Sequence, residues 1–151
     1  DTIGNLFHLV TTNIALPLVA GLDERFAWSG DPGLAVHGAG TAVLAAGSVL
    51  AAWAAATNAY TWSEGTVQRG QTVCRAGPYR FVRHPAYAGS ALQALGVPLL
   101  LGSLWALIPG IAVTVFMIIA TRREDRALQA ALPGYRDYAR EVRFRLLPLV
   151  W

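Results

Sequence analysis

The residues with the most chemistry lie in one run, Gly77-Pro-Tyr-Arg-Phe-Val-Arg-His-Pro-Ala-Tyr-Ala-Gly89. Gly77-Pro78 marks a turn, and Pro85 suits the first turn of a helix that follows. His84 is then at or next to an N-cap, with two arginines close by. A helix N-terminus offers free N–H groups and the positive end of a dipole, a ready site for a carboxylate or phosphate. The alternative is that these arginines meet lipid headgroups, as any juxtamembrane basic loop does. Residue types alone favour that alternative. A second charged run reads Thr121-Arg-Arg-Glu-Asp-Arg-Ala-Leu128. Helical spacing puts Arg123 and Ala127 on the side of Ala120, and aligns Glu124 with Ala120 and Leu128. An acidic pair at a membrane surface grips an ammonium group or pairs with nearby arginines; the plainer reading is an intrahelical ion-pair ladder worth about 0.2–0.5 kcal/mol per pair. The tail Gly134–Pro148 reads as a short amphipathic helix lying back on the same face. No HExxH, CxxC pair, GxSxG or P-loop is present, so hydrolytic metal chemistry and nucleotide hydrolysis have no support and no metal is expected. His8 and His37 each stand alone on apolar stretches and are expected to pack or bond locally.

These polar runs are carried by an apolar chain. Of 151 residues, 54% are hydrophobic and 14% charged, against about 25% charged in soluble domains. That excludes intrinsic disorder, and a single cysteine excludes a disulfide scaffold. Four apolar stretches stand out: Ile3–Leu22 with a kink expected at Pro17, Gly33 to about Tyr60, about Ala86–Leu101, and Leu104–Ala120. Crossing a hydrocarbon core takes roughly 20 apolar residues. The first two satisfy that; the last two are short, joined only by Gly102-Ser103, and read as a tight hairpin whose second helix gains length by running into the charged stretch. A signal peptide does not explain the first stretch, which lacks a basic n-region and is followed by three more. A soluble chain of this size does not easily hide four such helices.

All twelve basic residues are arginine, and there is no lysine. The stretch between the first two segments, with Asp23, Glu24, Arg25 and Asp31, nets −2. The other eleven arginines fall between segments two and three or after segment four. Arginine-rich flanks stay cytoplasmic, so the 61–85 loop and the C-terminal tail are predicted inside and the 23–32 loop on the opposite side. Trp28 and Trp105 are expected near outer boundaries and Trp62 near an inner one, whereas Trp53 is expected to pack within the bundle. Rows of small residues four apart, Gly38-Ala42-Ala46 and Gly47-Ala51-Ala55, predict close helix approach. Topology accounts for the arginines, so nucleic acid is not an expected partner. The chain begins at Asp1 rather than methionine, as expected of a processed or partly observed form.

The 77–89 run resembles the GPYR-x-x-RHP-x-Y-x-G signature of the isoprenylcysteine carboxyl methyltransferase family, integral membrane enzymes related to phospholipid N-methyltransferases. The second half is similar too: Glu124-Asp125, Leu128, Gly134-Tyr-x-x-Tyr138, then Val142 leading to Leu147-Pro148. The resemblance covers about Asn58 to the C-terminus. It implies S-adenosylmethionine as cofactor, contacted by Gln71, Thr72, Val73, Cys74 (mainly through backbone), Tyr79, Arg83, His84, Pro85, Ala86 and Tyr87, with Glu124 near its α-amino group. It implies methyl transfer to a lipophilic or prenylcysteine-like acceptor entering from the bilayer. An acceptor carboxylate calls for a guanidinium, for which Arg123 and Arg143 are the candidate catalytic residues. Three positions depart from the family pattern. Gln71 replaces a frequent histidine, Asp125 shortens the second acid of a Glu-Glu pair, and Ala120 stands where an arginine commonly addresses substrate. Without that cation, the expectation divides between a different acceptor and a non-catalytic relative serving as accessory subunit of a membrane complex; a weaker third possibility is a lipid-binding protein.

The expected fold is accordingly all-α: a polytopic helical bundle of about four membrane helices plus a C-terminal amphipathic helix, forming a single membrane domain over residues 1–151. Residues 1–60 would supply the N-terminal membrane helices and 61–151 the cofactor loop, hairpin and tail. The expected location is the bacterial inner membrane, with membrane lipids and membrane proteins as partners.

Overall fold

The computed structural model describes residues 2–61, 67–148 and 151. Trp62, expected at an inner boundary, lies outside them. The described residues are helical, with no strand among them: α1 (Thr2–Val10), α2 (Leu16–Phe26), α3 (Leu34–Thr57), α4 (Pro85–Leu100), α5 (Leu107–Ala131) and α6 (Tyr135–Glu141). A π-helical turn, Thr11–Ala15, joins α1 to α2. It falls just before Pro17, whose ring takes away one N–H and crowds the preceding turn. Where a kink is expected at Pro17, the helix carries this widened turn.

Two helical stretches are long and apolar enough to cross a membrane by length and composition, Leu6–Phe26 and Leu34–Thr57. With 16 residues, α4 is about 24 Å long at 1.5 Å per residue, short of a ~30 Å core. By contrast α5 has 25 residues, but its last third carries Arg122, Arg123, Glu124, Asp125 and Arg126. As anticipated, the fourth apolar stretch continues into the charged one. Its link to α4 is longer than a two-residue turn: residues 101–106 separate the two helices, and Gly102 takes the left-handed φ of +72° that starts the reversal.

Internal contacts divide the chain into two compact units. One comprises residues 1–48 and 90–117, the other 49–89 and 118–151. Within the first, helix backbones approach through glycine. A Cβ on Gly40 would lie 2.2 Å from Leu100 N, one on Gly96 2.6 Å from Leu44 N, and one on Gly110 2.4 Å from Ala94 O. The predicted row Gly38-Ala42-Ala46 is instead exposed, with open space at Gly38. Gly47 and Ala51 of the other row are buried and Ala55 is not. Two thirds of α3 is Ala, Gly, Ser or Thr, so composition does not reveal which stripe makes the contact.

The acidic turn also differs from expectation. Asp23, Glu24 and Arg25 form the last turn of α2, which ends at Ala27 in a left-handed conformation (φ 51°). Asp23 is buried and accepts hydrogen bonds from Ser29 N–H (2.7 Å), Ser29 Oγ (2.5 Å) and Ser103 Oγ (2.5 Å). Of the acids read as lying in an outer loop, this one is a structural anchor. His37 bonds locally, Nδ1 to Leu100 O at 2.8 Å, and His8 pairs with Thr12 at 3.4 Å and stacks on Phe116. Trp28 and Trp105 meet edge to face at 6.1 Å. Trp53 is not packed away as expected. It is 48% exposed, with its indole nitrogen beside Gly77.

Candidate functional site

The second unit builds its site from the end of α3, residues 58–61 and 67–84, the first turn of α4, the charged half of α5, α6 and the tail. Three backbone features set its walls. Gly77, at φ +52°, brings the 3-10 turn Gly77–Arg80 against Thr57; a Cβ there would lie 2.6 Å from Thr57 Oγ1. Pro85 occupies the first helical position of α4, where its missing N–H costs nothing. His84 is therefore the N-cap residue, its carbonyl accepting from Ala88 N–H at 3.2 Å. Gly134, at φ +79°, turns the chain from α5 into α6.

The tail contributes backbone rather than helix. Seven residues, Tyr135–Glu141, are helical, and beyond them Arg83 N–H donates to Phe144 O and His84 N–H to Arg145 O, each at 2.9 Å. A continuous amphipathic helix over Gly134–Pro148 would have left these two donors unsatisfied. The helix ends instead at Val142, which is extended.

At the centre is Asp125, fully buried. Its Oδ1 accepts from Arg83 Nη1 at 2.7 Å and Tyr135 OH at 3.1 Å, with His84 Nε2 at 3.5 Å. Its Oδ2 accepts from Gln129 Nε2 at 2.9 Å and Arg145 Nε at 3.1 Å. Burial pushes the carboxyl up, but the hydrogen bonds from His84 and Arg145 and the charge of Arg83 outweigh it, and the net shift is well below the usual carboxylate range. Asp125 therefore stays ionised at neutral pH. Burial, reinforced by that anion, pushes the Tyr135 hydroxyl well above its ordinary value, so it remains a donor. Arg145 is held from its other side as well, its guanidinium 5.0 Å from the Trp151 ring, over which Arg122 also sits at 5.0 Å.

Above this hub a cleft opens. Of the eleven residues assigned to the cofactor from sequence, ten line it: Gln71, Thr72, Val73, Cys74, Tyr79, Arg83, His84, Ala86, Tyr87 and Glu124. Pro85 is buried and does not reach it. The adjacent acids diverge: Asp125 is sequestered in the hub, whereas Glu124 lines the cleft and accepts from Tyr87 OH at 2.5 Å. Tyr79 is buried, paired with Thr61 Oγ1 at 3.1 Å, and burial raises its hydroxyl pKa. Arg83 also donates from Nη2 to Arg143 O at 3.3 Å, while its buried Nε has no hydrogen-bond partner. Cys74 is half-buried, its thiol 3.8 Å from Thr57 O.

Arg123 and Arg143 are both exposed and do not line this cleft. Arg143 lies on a different one, with Arg80 and Phe81. Residues not assigned from sequence complete the lining of the cleft: Asn58, Tyr60, Thr61, Leu128, Leu132, Tyr135 and Tyr138. The Gly134-Tyr-x-x-Tyr138 spacing was a signal for the last two. Tyrosines three apart share one face of α6, and both are buried on Leu132.

All-α architecture among the described residues, two apolar helices of membrane length and a partly polar cleft are features expected of a helical membrane protein. The comparisons sharpen that class. A family model described as phospholipid methyltransferase matches residues 35–133, more than half of the chain, which therefore belongs to that family. The chain is also similar to the cobalt-zinc-cadmium resistance protein CzcN of Cupriavidus metallidurans, 33% identical over 83 residues. That match covers 50% of this chain and 35% of the relative, so the chain spans about a third of its length. No solved structure matches the chain.

Proposed function

We propose that the chain is a membrane methyltransferase that holds S-adenosylmethionine in the cleft of the second unit and serves a lipophilic acceptor. The observation that carries this reading is the convergence of Gln71–Cys74, Tyr79, Arg83, His84 and Glu124 on one cleft, in a member of a methyltransferase family. The side chains fit the cofactor's chemistry. Its carboxylate finds Arg83, which has a buried, unpartnered Nε, and its ammonium finds Glu124. Its adenosine finds apolar and tyrosyl walls at Leu128, Leu132 and Tyr138. Bound there, S-adenosylmethionine supplies a sulfonium methyl to a nucleophilic atom of the acceptor. The protein's own part is positional: Asp125 fixes Arg83 and His84, Tyr87 orients Glu124, and the buried tyrosines exclude water. The charge pattern adds that the 61–85 loop and the tail face the cytoplasm of a bacterial inner membrane, with four crossings in all.

Titration of the purified protein with S-adenosylmethionine tests this, with His84→Ala and Glu124→Ala alongside. Losing the charge-assisted bond to Glu124 should weaken binding by about tenfold or more. No binding by the parent would sink the enzyme reading, and equal binding by both variants would move the site elsewhere.

A second reading is a non-catalytic relative acting as accessory subunit. It is favoured by Ala120, where a substrate-binding arginine is expected, and by a relative named for metal resistance rather than methyl transfer. Stoichiometric co-purification with a membrane partner, without methyl transfer to any lipid extract, would support it.

A further inference from the structure

A second cleft of the same unit shares no residue with the first. It is lined by Arg80, Phe81, Glu141, Val142, Arg143, Phe144 and Pro148. The Arg80 and Arg143 side chains are exposed and have no hydrogen-bond or ion-pair partner among the described residues. The carboxylate on its rim, Glu141, is already paired with Arg75. Its remaining surface is apolar, and the Phe81 ring is 59% exposed at its mouth, with Leu147 nearby in the chain and 49% exposed. The walls are not loose: Arg83 holds one of them through Phe144 O and Arg143 O.

We propose that this cleft binds one anionic phospholipid, its phosphate between Arg80 and Arg143 and the start of an acyl chain against Phe81, Val142 and Phe144. Guanidinium pairs match phosphate oxygens bidentately, and an apolar floor selects a lipid over a free anion. The arginine-rich face to which both residues belong is the one the charge distribution turns toward an anionic leaflet. The site goes beyond the methyl-transfer reading and does not depend on it.

The test is native mass spectrometry of the purified protein in neutral detergent, titrated with phosphatidylglycerol. Phosphatidylcholine and inorganic phosphate serve as comparison ligands. The R80Q/R143Q double variant should bind phosphatidylglycerol about 30-fold more weakly. The control R69Q/R136Q, two exposed arginines away from the cleft, should bind like the parent. Unchanged binding by R80Q/R143Q, or an equal loss in the control, would overturn the site. So would displacement of the lipid by millimolar phosphate, which would mark a simple anion site. Independently of variant folding, a photoactivatable phosphatidylglycerol on the parent protein should cross-link to peptides holding residues 80–81 and 142–148. Cross-links confined to other peptides would refute the proposal.

Discussion

Replacing Asp125 by asparagine removes one charge and changes almost no volume, so its effect isolates the hub. Five groups face the carboxylate, at 2.7 to 3.5 Å. An asparagine oxygen at the Oδ1 position still accepts from Arg83 and Tyr135. Its amide at the other position confronts Arg145 Nε and Gln129 Nε2, which are also donors. The Gln129 amide can flip, and Arg145 is a third exposed and keeps its stacking on Trp151, so these two losses are modest. Arg83 is different, because its side chain is 5% exposed and would be left as an uncompensated buried cation. Breaking a buried pair in this way costs about 3–5 kcal/mol. At about 1.4 kcal/mol per decade, even the low end raises the open population of this unit by about two orders of magnitude.

The chain's single cysteine, Cys74, lines the cleft above the hub and reports that opening. When opening limits access, N-ethylmaleimide should label Cys74 about 100-fold faster in Asp125→Asn than in the parent. Asp137→Asn, which removes an exposed partner of Arg140, should change little. Labelling of Asp125→Asn within threefold of the parent, together with an unchanged melting temperature, would refute the claim that this carboxylate holds the cleft.

Further outcomes follow from the same geometry. A carboxyl depressed in the folded state stabilises fully above its unfolded value of about 3.9 and loses that contribution as pH falls toward the folded value. Melting curves should therefore show no Asp125-dependent change from pH 5 to 8, and the parent should lose more stability than Asp125→Asn below about pH 4. Tyr135→Phe deletes one hydrogen bond to Asp125 without a cavity and should cost about 1 kcal/mol; because the hydroxyl stays protonated, denaturant titration should give the same cost at pH 7 and pH 9. Gly40→Ala puts a methyl 2.2 Å from the Leu100 backbone and should lower the melting temperature clearly. Gly38→Ala, on the open stripe, should raise stability by up to about 1 kcal/mol through helix propensity; the reverse order would show that the contact stripe is misassigned.

Much of the first cleft could be read from the chain because its contributors are neighbours in sequence. Residues 71–74, 79, 83, 84, 86 and 87 reach one cleft through two proline-marked turns, at Pro78 and Pro85, and turn chemistry is local. Helical class and the apolar segments were legible for a similar reason, since length and hydropathy are sums over contiguous residues. The same holds for the asymmetry of the arginines, which is a matter of their positions along the chain.

Side-chain partnership was not legible in that way. Glu124 and Asp125 are adjacent acids on one helix, separated by about 100° of turn, and that rotation sends one into the cleft and the other into a buried hub. Asp23 and Ser103 are bonded across 80 positions, and Arg83 meets Asp125 across 42. Nothing in either local pattern names the partner. In α3 the alternatives Gly38 and Gly40 differ by two positions in a helix made mostly of small residues, so periodicity carries no contrast there. Which of these groups is buried, which stays charged and which remains free for a ligand depends on what folding places opposite each one, because desolvation and pairing act across space rather than along the chain.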